Sequence, residues 1–348
     1  MITSILPIKD STIYEYYNLK NTGIDSILEL SYDTLLESAS RILIQFDSEE
    51  IRNKIINKNN IQFDLRLYLS DQYEVPEQYT IETFPLSQSW NMGIGKYNNE
   101  PQTTDGVTWN NNGVTNWISS GSNYHTEYMT NSGGGSWNSN ISSSISFDYN
   151  SNDININVTD IVNLWLSGSI DNNGLILKLK DEYTEIESEA RLTYFSKETH
   201  TIYQPKIIIK YEDYYFNSGS LQPITDENFT ININNLRKQY NLNSMIRLYL
   251  TARERYPNRT YVLTNEYLIP KYLPINSYYS IKDGNSETTI IPFDDVYTKI
   301  SLDENGNYFE LDMNNFNAER YYKIIFKIVW DNFEEFIIDN NFYFKVVR

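Results

Sequence analysis

The chain has 348 residues, with 46 Asp and Glu against 28 Lys and Arg, a formal charge of −18 and no cysteine. Disulfides, thiolate metal sites and cysteine nucleophiles are excluded, and a surface of this sign repels phosphate, which disfavours nucleic acid and anionic membrane as partners. The length allows two domains, and 30 tyrosines, abundant Ile and scarce Ala favour strands over helices.

Taken in order, ILPIKDSTIYEY opens a run of strands and LELSY follows. SRILIQFD places Ile42, Ile44 and Phe46 on one face, and IQFDLRLYLSD does the same with Phe63, Leu65, Leu67 and Leu69. In YTIETFPLSQSW, Pro85 marks an edge or bulge position. Asn-rich connectors such as NKIINKNN separate these runs. Residues 91–152 are rich in Gly, Ser, Asn and Thr and carry Trp109, Trp117 and Trp137. A structureless connection of that length is unusual, so it is either a functional excursion or a linker held down by its tryptophans; the excursion is favoured, because tryptophans are costly to leave in water and are expected to pack on this domain or on a neighbour.

Asp153–Gly168 then changes period. Ile154, Ile156 and Val158 alternate as a half-buried strand, Thr159 is suited to cap a helix, and Ile161, Val162, Leu164, Trp165 and Leu166 form its apolar stripe before Ser167-Gly168 ends it. After Asn172-Asn173-Gly174, Leu175, Leu177 and Leu179 are expected to face in, with Lys178 and Lys180 facing out. Composition breaks at Glu212–Ser220, where a domain boundary is expected. Beyond it FTININ, a long strand over Met245–Arg253, SYYSIKDG, a hairpin turning at Asn305-Gly306 and RYYKIIFKIVW make a second set of strands. In the last, Tyr322, Ile324, Phe326 and Ile328 share a face, and the LDMNNFNAE before it is similar to the corner preceding the tyrosine-bearing strand of immunoglobulin-like domains.

The expected architecture is therefore all-β: a jelly-roll-like β-sandwich with one short helix over 1–213, carrying the long 91–152 loop, followed by an immunoglobulin-like β-sandwich over 222–348. MITSILPIKD lacks the basic start of a signal peptide, and no segment approaches the ~20 apolar residues of a membrane helix, so neither leader nor span is expected.

Five pieces in order carry a resemblance: Ser40–Asp47, Gly106–Asn111, Ile156–Gly168, Asn172–Glu182 and Tyr194–Tyr211. Together they make the first 210 or so residues resemble the DNRLRE-type family, also described as carbohydrate-binding module family 96, which implies a jelly-roll-like sandwich. The short loop that such domains carry before the helix is replaced here by the Ser/Gly/Asn excursion. Over its whole length the chain also looks like virion structural proteins of T4-like marine tailed phages. NTGID near Asn21, QSWNMGIGKY near Gln88, ETHTIYQPK near Glu198 and the terminal YFKVVR carry that likeness. It implies a virion location after assembly in the host cytoplasm, with other virion proteins or further copies of the chain as partners. The first likeness implies a glycan-binding module of a fibre or adhesin as the alternative.

Chemistry-bearing motifs are few. His125 and His200 stand without a metal-binding spacing, no GxSxG elbow or phosphate-cradling loop occurs, and Gly93-Ile94-Gly95 lacks the helix of a dinucleotide site. No catalytic residue and no cofactor are expected. Asp25, Asp105 and Asp171, in loops beside Asn side chains, suit a structural calcium ion. The aromatic groups are the main candidates: Trp109, Trp117 and Trp137 in the long loop, with Trp90 nearby, and Tyr214, Tyr215 and Phe216 at the composition break. Closing their own sandwich, stacking on sugars and anchoring a protein partner are all open to them. The interface reading expects removal of Thr130–Ser143 to leave folding intact while abolishing assembly.

Overall fold

The computed structural model describes all residues except 74–78, 119–132, 148–152, 181, 183–189, 257–270 and 331–333. The protein is all-β: twenty strands and two short α-helices lie among the described residues. The chain divides into two units. The larger comprises Ser4–Ile56 and Gln62–Ile209, and the smaller Lys210–Arg348 with Met1–Thr3 and Asn57–Ile61.

The first eleven strands form one curled sheet. They are β1 (Ile2–Ile5), β2 (Lys9–Tyr14), β3 (Ile27–Asp33), β4 (Ser38–Gln45), β5 (Asn59–Tyr73), β6 (Tyr79–Pro85), β7 (Ser143–Phe147), β8 (Asp153–Asn157), β9 (Leu175–Leu179), β10 (Ala190–Phe195) and β11 (Lys206–Glu212). The order is β1-β11-β5-β10-β3-β4-β9-β6-β7, with β2 also on β4 and β8 on β5. Strand β8 pairs with β5 so that Ile156 faces Leu65 and Ile154 faces Leu67, all four buried, as the alternation requires.

Strands β4 and β9 bury both of their faces, not one. Lys178, expected to face out, is 2% exposed and lies opposite Glu82 of β6. Period-two alternation cannot separate a half-covered strand from one packed on both sides.

Two helices are present where one was expected. Helix α1 (Ser48–Ile55) opens with the Asp47 side chain accepting from Glu49 N, carries Glu49 and Glu50 in its first turn and Arg52 and Lys54 in its last, and buries Ile51. Its charges suit both ends of the helix dipole, but one apolar anchor leaves no readable stripe. Helix α2 (Thr159–Ser167) buries Ile161, Val162 and Trp165 and ends at Gly168, whose φ of 75° is the left-handed conformation a glycine adopts freely. Val158, not Thr159, occupies its N-cap position, while the Thr159 hydroxyl accepts from Phe63 N of β5 at 2.9 Å.

The smaller unit is an immunoglobulin-like sandwich. Its strands are β12 (Phe229–Ile233), β13 (Gln239–Asn241), β14 (Met245–Glu254), β15 (Asn276–Asp283), β16 (Thr289–Ile291), β17 (Ser301–Asp303), β18 (Gly306–Asp312), β19 (Arg320–Val329) and β20 (Glu335–Val347). One sheet runs β12-β14-β18-β17 and the other β13-β20-β19-β15-β16. This is the ABED against A′GFCC′ arrangement of immunoglobulin domains, with β13 parallel to β20. Residues of the two sheets interdigitate: Tyr279 of β15 stacks on Phe309 of β18 with ring centroids 4.5 Å apart, and Phe326 of β19 approaches the same ring edge-on. The tyrosine corner is present. Tyr322, 1% exposed, accepts from Asn317 N at 2.7 Å and donates to Asn317 O at 3.1 Å.

One buried carboxyl in the larger unit makes stability depend on pH. Asp10 of β2 is 1% exposed and accepts from Lys197 N at 2.6 Å. Burial pushes its pKa up to about 7, against the pull of that hydrogen bond. A carboxyl whose folded pKa is raised contributes most below its unfolded value near 4, and the contribution is lost as pH rises toward 7. A loss of roughly 3–4 kcal/mol across that window is expected. Urea midpoints of wild type and Asp10→Asn, a neutral isostere of the protonated carboxyl, should therefore be similar below pH 4 and separate above pH 7, with wild type the less stable there. Parallel pH profiles would contradict this.

Candidate functional site

Trp109, Trp117 and Trp137 are turned into the larger unit, at 6%, 2% and 2% exposure. Their organising partner is Arg41 of β4, whose guanidinium carbon lies 4.7 Å from the Trp109 ring centroid and 5.3 Å from that of Trp137. Arg41 Nη2 donates to Glu182 Oε2 at 2.7 Å, with both side chains essentially buried, and Nη1 donates to Gly134 O at 2.7 Å. The loop is then pinned by Gly134 N donating to Trp109 O and by Trp117 Nε1 donating to Thr108 O. A Cβ on Gly134, where φ is 79°, would sit 2.4 Å from Arg41 Nη1. These tryptophans close their own sandwich around a buried ion pair and present no docking surface. Thr130–Ser143 includes Gly134, Ser136 and Trp137 of this core, so its removal is now expected to damage folding.

A second knot fixes the start of the same loop. Asn21 is fully buried; its Nδ2 donates to Met92 O and Val107 O, both at 2.8 Å, and its Oδ1 accepts from Gly95 N at 2.8 Å and Gly23 N at 3.3 Å. A Cβ on Gly95 would lie 2.2 Å from Asn21 O. The NTGID and NMGIG segments are thus two sides of one close backbone crossing.

The aromatics at the composition break lie in the smaller unit. Tyr215 N donates to Ser301 Oγ, Tyr215 O accepts from Leu302 N at 2.8 Å and Asn217 N donates to Leu302 O at 2.9 Å, so this segment runs as a short added edge beside β17. Tyr214 is half-buried under the Lys299 ammonium, 4.4 Å from the ring centroid, while Tyr215 and Phe216 remain 51% and 43% exposed. Of the six aromatic candidates, these two are on the surface.

Among the described residues no group of three or more His, Asp or Glu could hold a metal ion. Asp25 is occupied as an acceptor for Ser26 N and Tyr97 N. His200 is exposed, and His125 lies outside the described residues.

A cleft of about 360 Å³ in the larger unit was not anticipated from the sequence. Its floor is one cross-strand row: Tyr14 of β2 faces Ser40 of β4, Ser40 faces Ser31 of β3, and Ser31 faces Arg191 of β10. A hydrogen-bonded chain runs along it. Arg191 Nη2 donates to Glu29 Oε2 at 2.9 Å, Ser31 Oγ lies 3.0 Å from Glu29 Oε1, and the Ser31 and Ser40 hydroxyls are 2.8 Å apart. One wall is aromatic: Tyr97 meets Tyr14 at 5.2 Å and Tyr17 at 5.7 Å between ring centroids, and Tyr16 meets Tyr17 edge-on at 4.9 Å. Lys20 Nζ lies over the Tyr17 and Tyr97 rings at 4.2 and 4.3 Å. Burial, with the hydrogen bond to Tyr17, pushes the Tyr97 hydroxyl up to about 12, so it stays protonated at neutral pH. The YEYY run at Tyr14–Tyr17 was the available signal. Tyr97 and Arg191 enter only through tertiary structure.

No family model matches the chain. No curated protein matches it either. Among solved structures, the binding domain of botulinum neurotoxin serotype C1 is aligned over 99% of this chain and 99% of that one, at 10% identity and a TM-score of 0.23. A superposition at that level carries no inference about fold or function.

Proposed function

We propose that the chain is a non-enzymatic structural component of a tailed-phage virion, associated with its neck, tail or baseplate. It acts through contacts with other virion proteins or with further copies of itself in a ring or other homo-oligomer. It needs no cofactor, and nucleic acid and membrane are not its partners. The virion assignment rests on the whole-chain resemblance. The observation that supports protein contact is the pair Tyr215 and Phe216, half-exposed on a segment whose backbone is already hydrogen-bonded to β17. Large aromatics held in place lose little further freedom on docking, which suits interface anchors. Replacing both by serine is expected to leave folding intact and to reduce incorporation into particles at least tenfold. Incorporation at the wild-type level would remove these two residues from the contact.

A second reading, a glycan-binding module of a fibre or adhesin used in host attachment, is supported by the tyrosine-walled cleft with its polar floor. Flat aromatic rings beside paired polar side chains suit the apolar faces and hydroxyl edges of sugars.

A further inference from the structure

The geometry points to the cleft over β2, β3, β4 and β10 as a binding site for a neutral pyranose, with the exposed Tyr16 stacking on the ring and the Arg191–Glu29 pair holding two adjacent hydroxyls. This rests on the glycan-binding reading and names its site and ligand class.

The chemistry of the lining selects among ligands. The floor is polar throughout: Ser40, Ser31, Glu29 and Arg191 follow one another in a hydrogen-bonded chain. A wholly apolar ligand would strip water from that chain and return no hydrogen bond, a loss that burial makes costly. A polyanion meets Glu29 and Asp33 in the lining of a molecule with a net charge of −18. A cation finds its positions taken, because Lys20 already covers the Tyr17 and Tyr97 rings and Arg191 already engages Glu29.

A neutral pyranose meets none of these objections. Its C–H face lies flat on an aromatic ring, and two adjacent hydroxyls can accept from a guanidinium and donate to a carboxylate at once. Both groups are within reach of solvent and already oriented: Arg191 is 58% exposed at its side chain and fixed by Glu29, which is 13% exposed. The volume of about 360 Å³ falls at the lower end of the range for small-molecule sites, suited to about one or two sugar rings.

The test presents the full chain to an array of neutral oligosaccharides, uronate oligosaccharides and Lys/Arg-rich peptides, followed by titration calorimetry of the strongest binder. Tyr16→Ala and Arg191→Gln are made in parallel. Both positions are more than half exposed, so each variant is expected to keep the wild-type melting temperature. Binding to neutral glycans, weakened at least tenfold by each substitution, is the expected result. A flat array, binding unaffected by both substitutions, or selective capture of uronates or of basic peptides would each overturn the assignment. The virion reading is tested separately: a flat array from a chain stoichiometric in particles removes the sugar site alone, and a positive array from a chain absent from particles removes the virion role alone.

Discussion

Arg41→Ala is expected to destabilise the larger unit by about 3–5 kcal/mol, because it leaves the Glu182 carboxylate buried without its counter-charge. The same change removes the donor to Gly134 O and the cation over the Trp109 and Trp137 rings, so the loop loses the group that gathers it. Arg41→Lys should recover little of this, since an ammonium cannot engage Glu182 through two nitrogens while reaching Gly134 and stacking on two rings. Replacing the pair together, Arg41→Met with Glu182→Leu, should recover a large part, because two apolar groups of similar volume carry no charge to desolvate. Urea unfolding followed by tryptophan fluorescence measures all three. A cost below about 1 kcal/mol for Arg41→Ala would mean that the ion pair is not the centre of this core.

Asn21→Ala should cost about 3–5 kcal/mol, for a different reason. It leaves two carbonyls, Met92 O and Val107 O, and two amides, Gly95 N and Gly23 N, without the partner that satisfies them in a buried setting. Asn21→Asp separates the donor and acceptor halves of the side chain. It keeps the two acceptor contacts, loses both donors and places a charge in the knot, so it should be no better than alanine. Gly95→Ala should fail independently, because its Cβ would fall 2.2 Å from Asn21 O. If Asn21→Ala unfolds at the wild-type urea midpoint, the crossing is held by its glycines and not by the amide.

These two residues also show what could be read from the chain. Strands β5 and β8, helix α2 and the hairpin turning at Asn305-Gly306 were legible because their apolar spacing and turn residues act locally, whereas β9 was legible as a strand but not as one buried on both faces. So was the corner ahead of Tyr322, whose hydroxyl bonds a backbone five residues upstream. Arg41 was not legible as a core residue. It sits between Ser40 and Ile42 in an alternating strand, and its partners lie 93 and 141 residues away. Asn21 likewise meets groups 71 and 86 residues on. The same distance hid the fate of the tryptophans: a Gly- and Ser-rich segment looks open from composition, yet its glycines are what let the backbone come close enough to bury the rings. Met1–Thr3 and Asn57–Ile61 belong with the smaller unit through tertiary placement alone, which a break in composition at Glu212–Ser220 cannot reveal.

The cleft was not read from the sequence. Tyr14, Tyr16 and Tyr17 lie within four residues of one another, but the row that gives them a polar floor exists only once β2, β4, β3 and β10 are in register. Spacing within a strand says which residues share its face, not which strands will lie beside it.

The proposed place of the chain in a phage particle is tested most directly by its copy number in purified virions, measured by quantitative mass spectrometry. A fixed number per particle is expected, a multiple matching a ring at the neck, tail or baseplate, which falls at least tenfold in particles assembled with the Tyr215→Ser, Phe216→Ser chain. Complete absence of the wild-type chain from purified virions would contradict it.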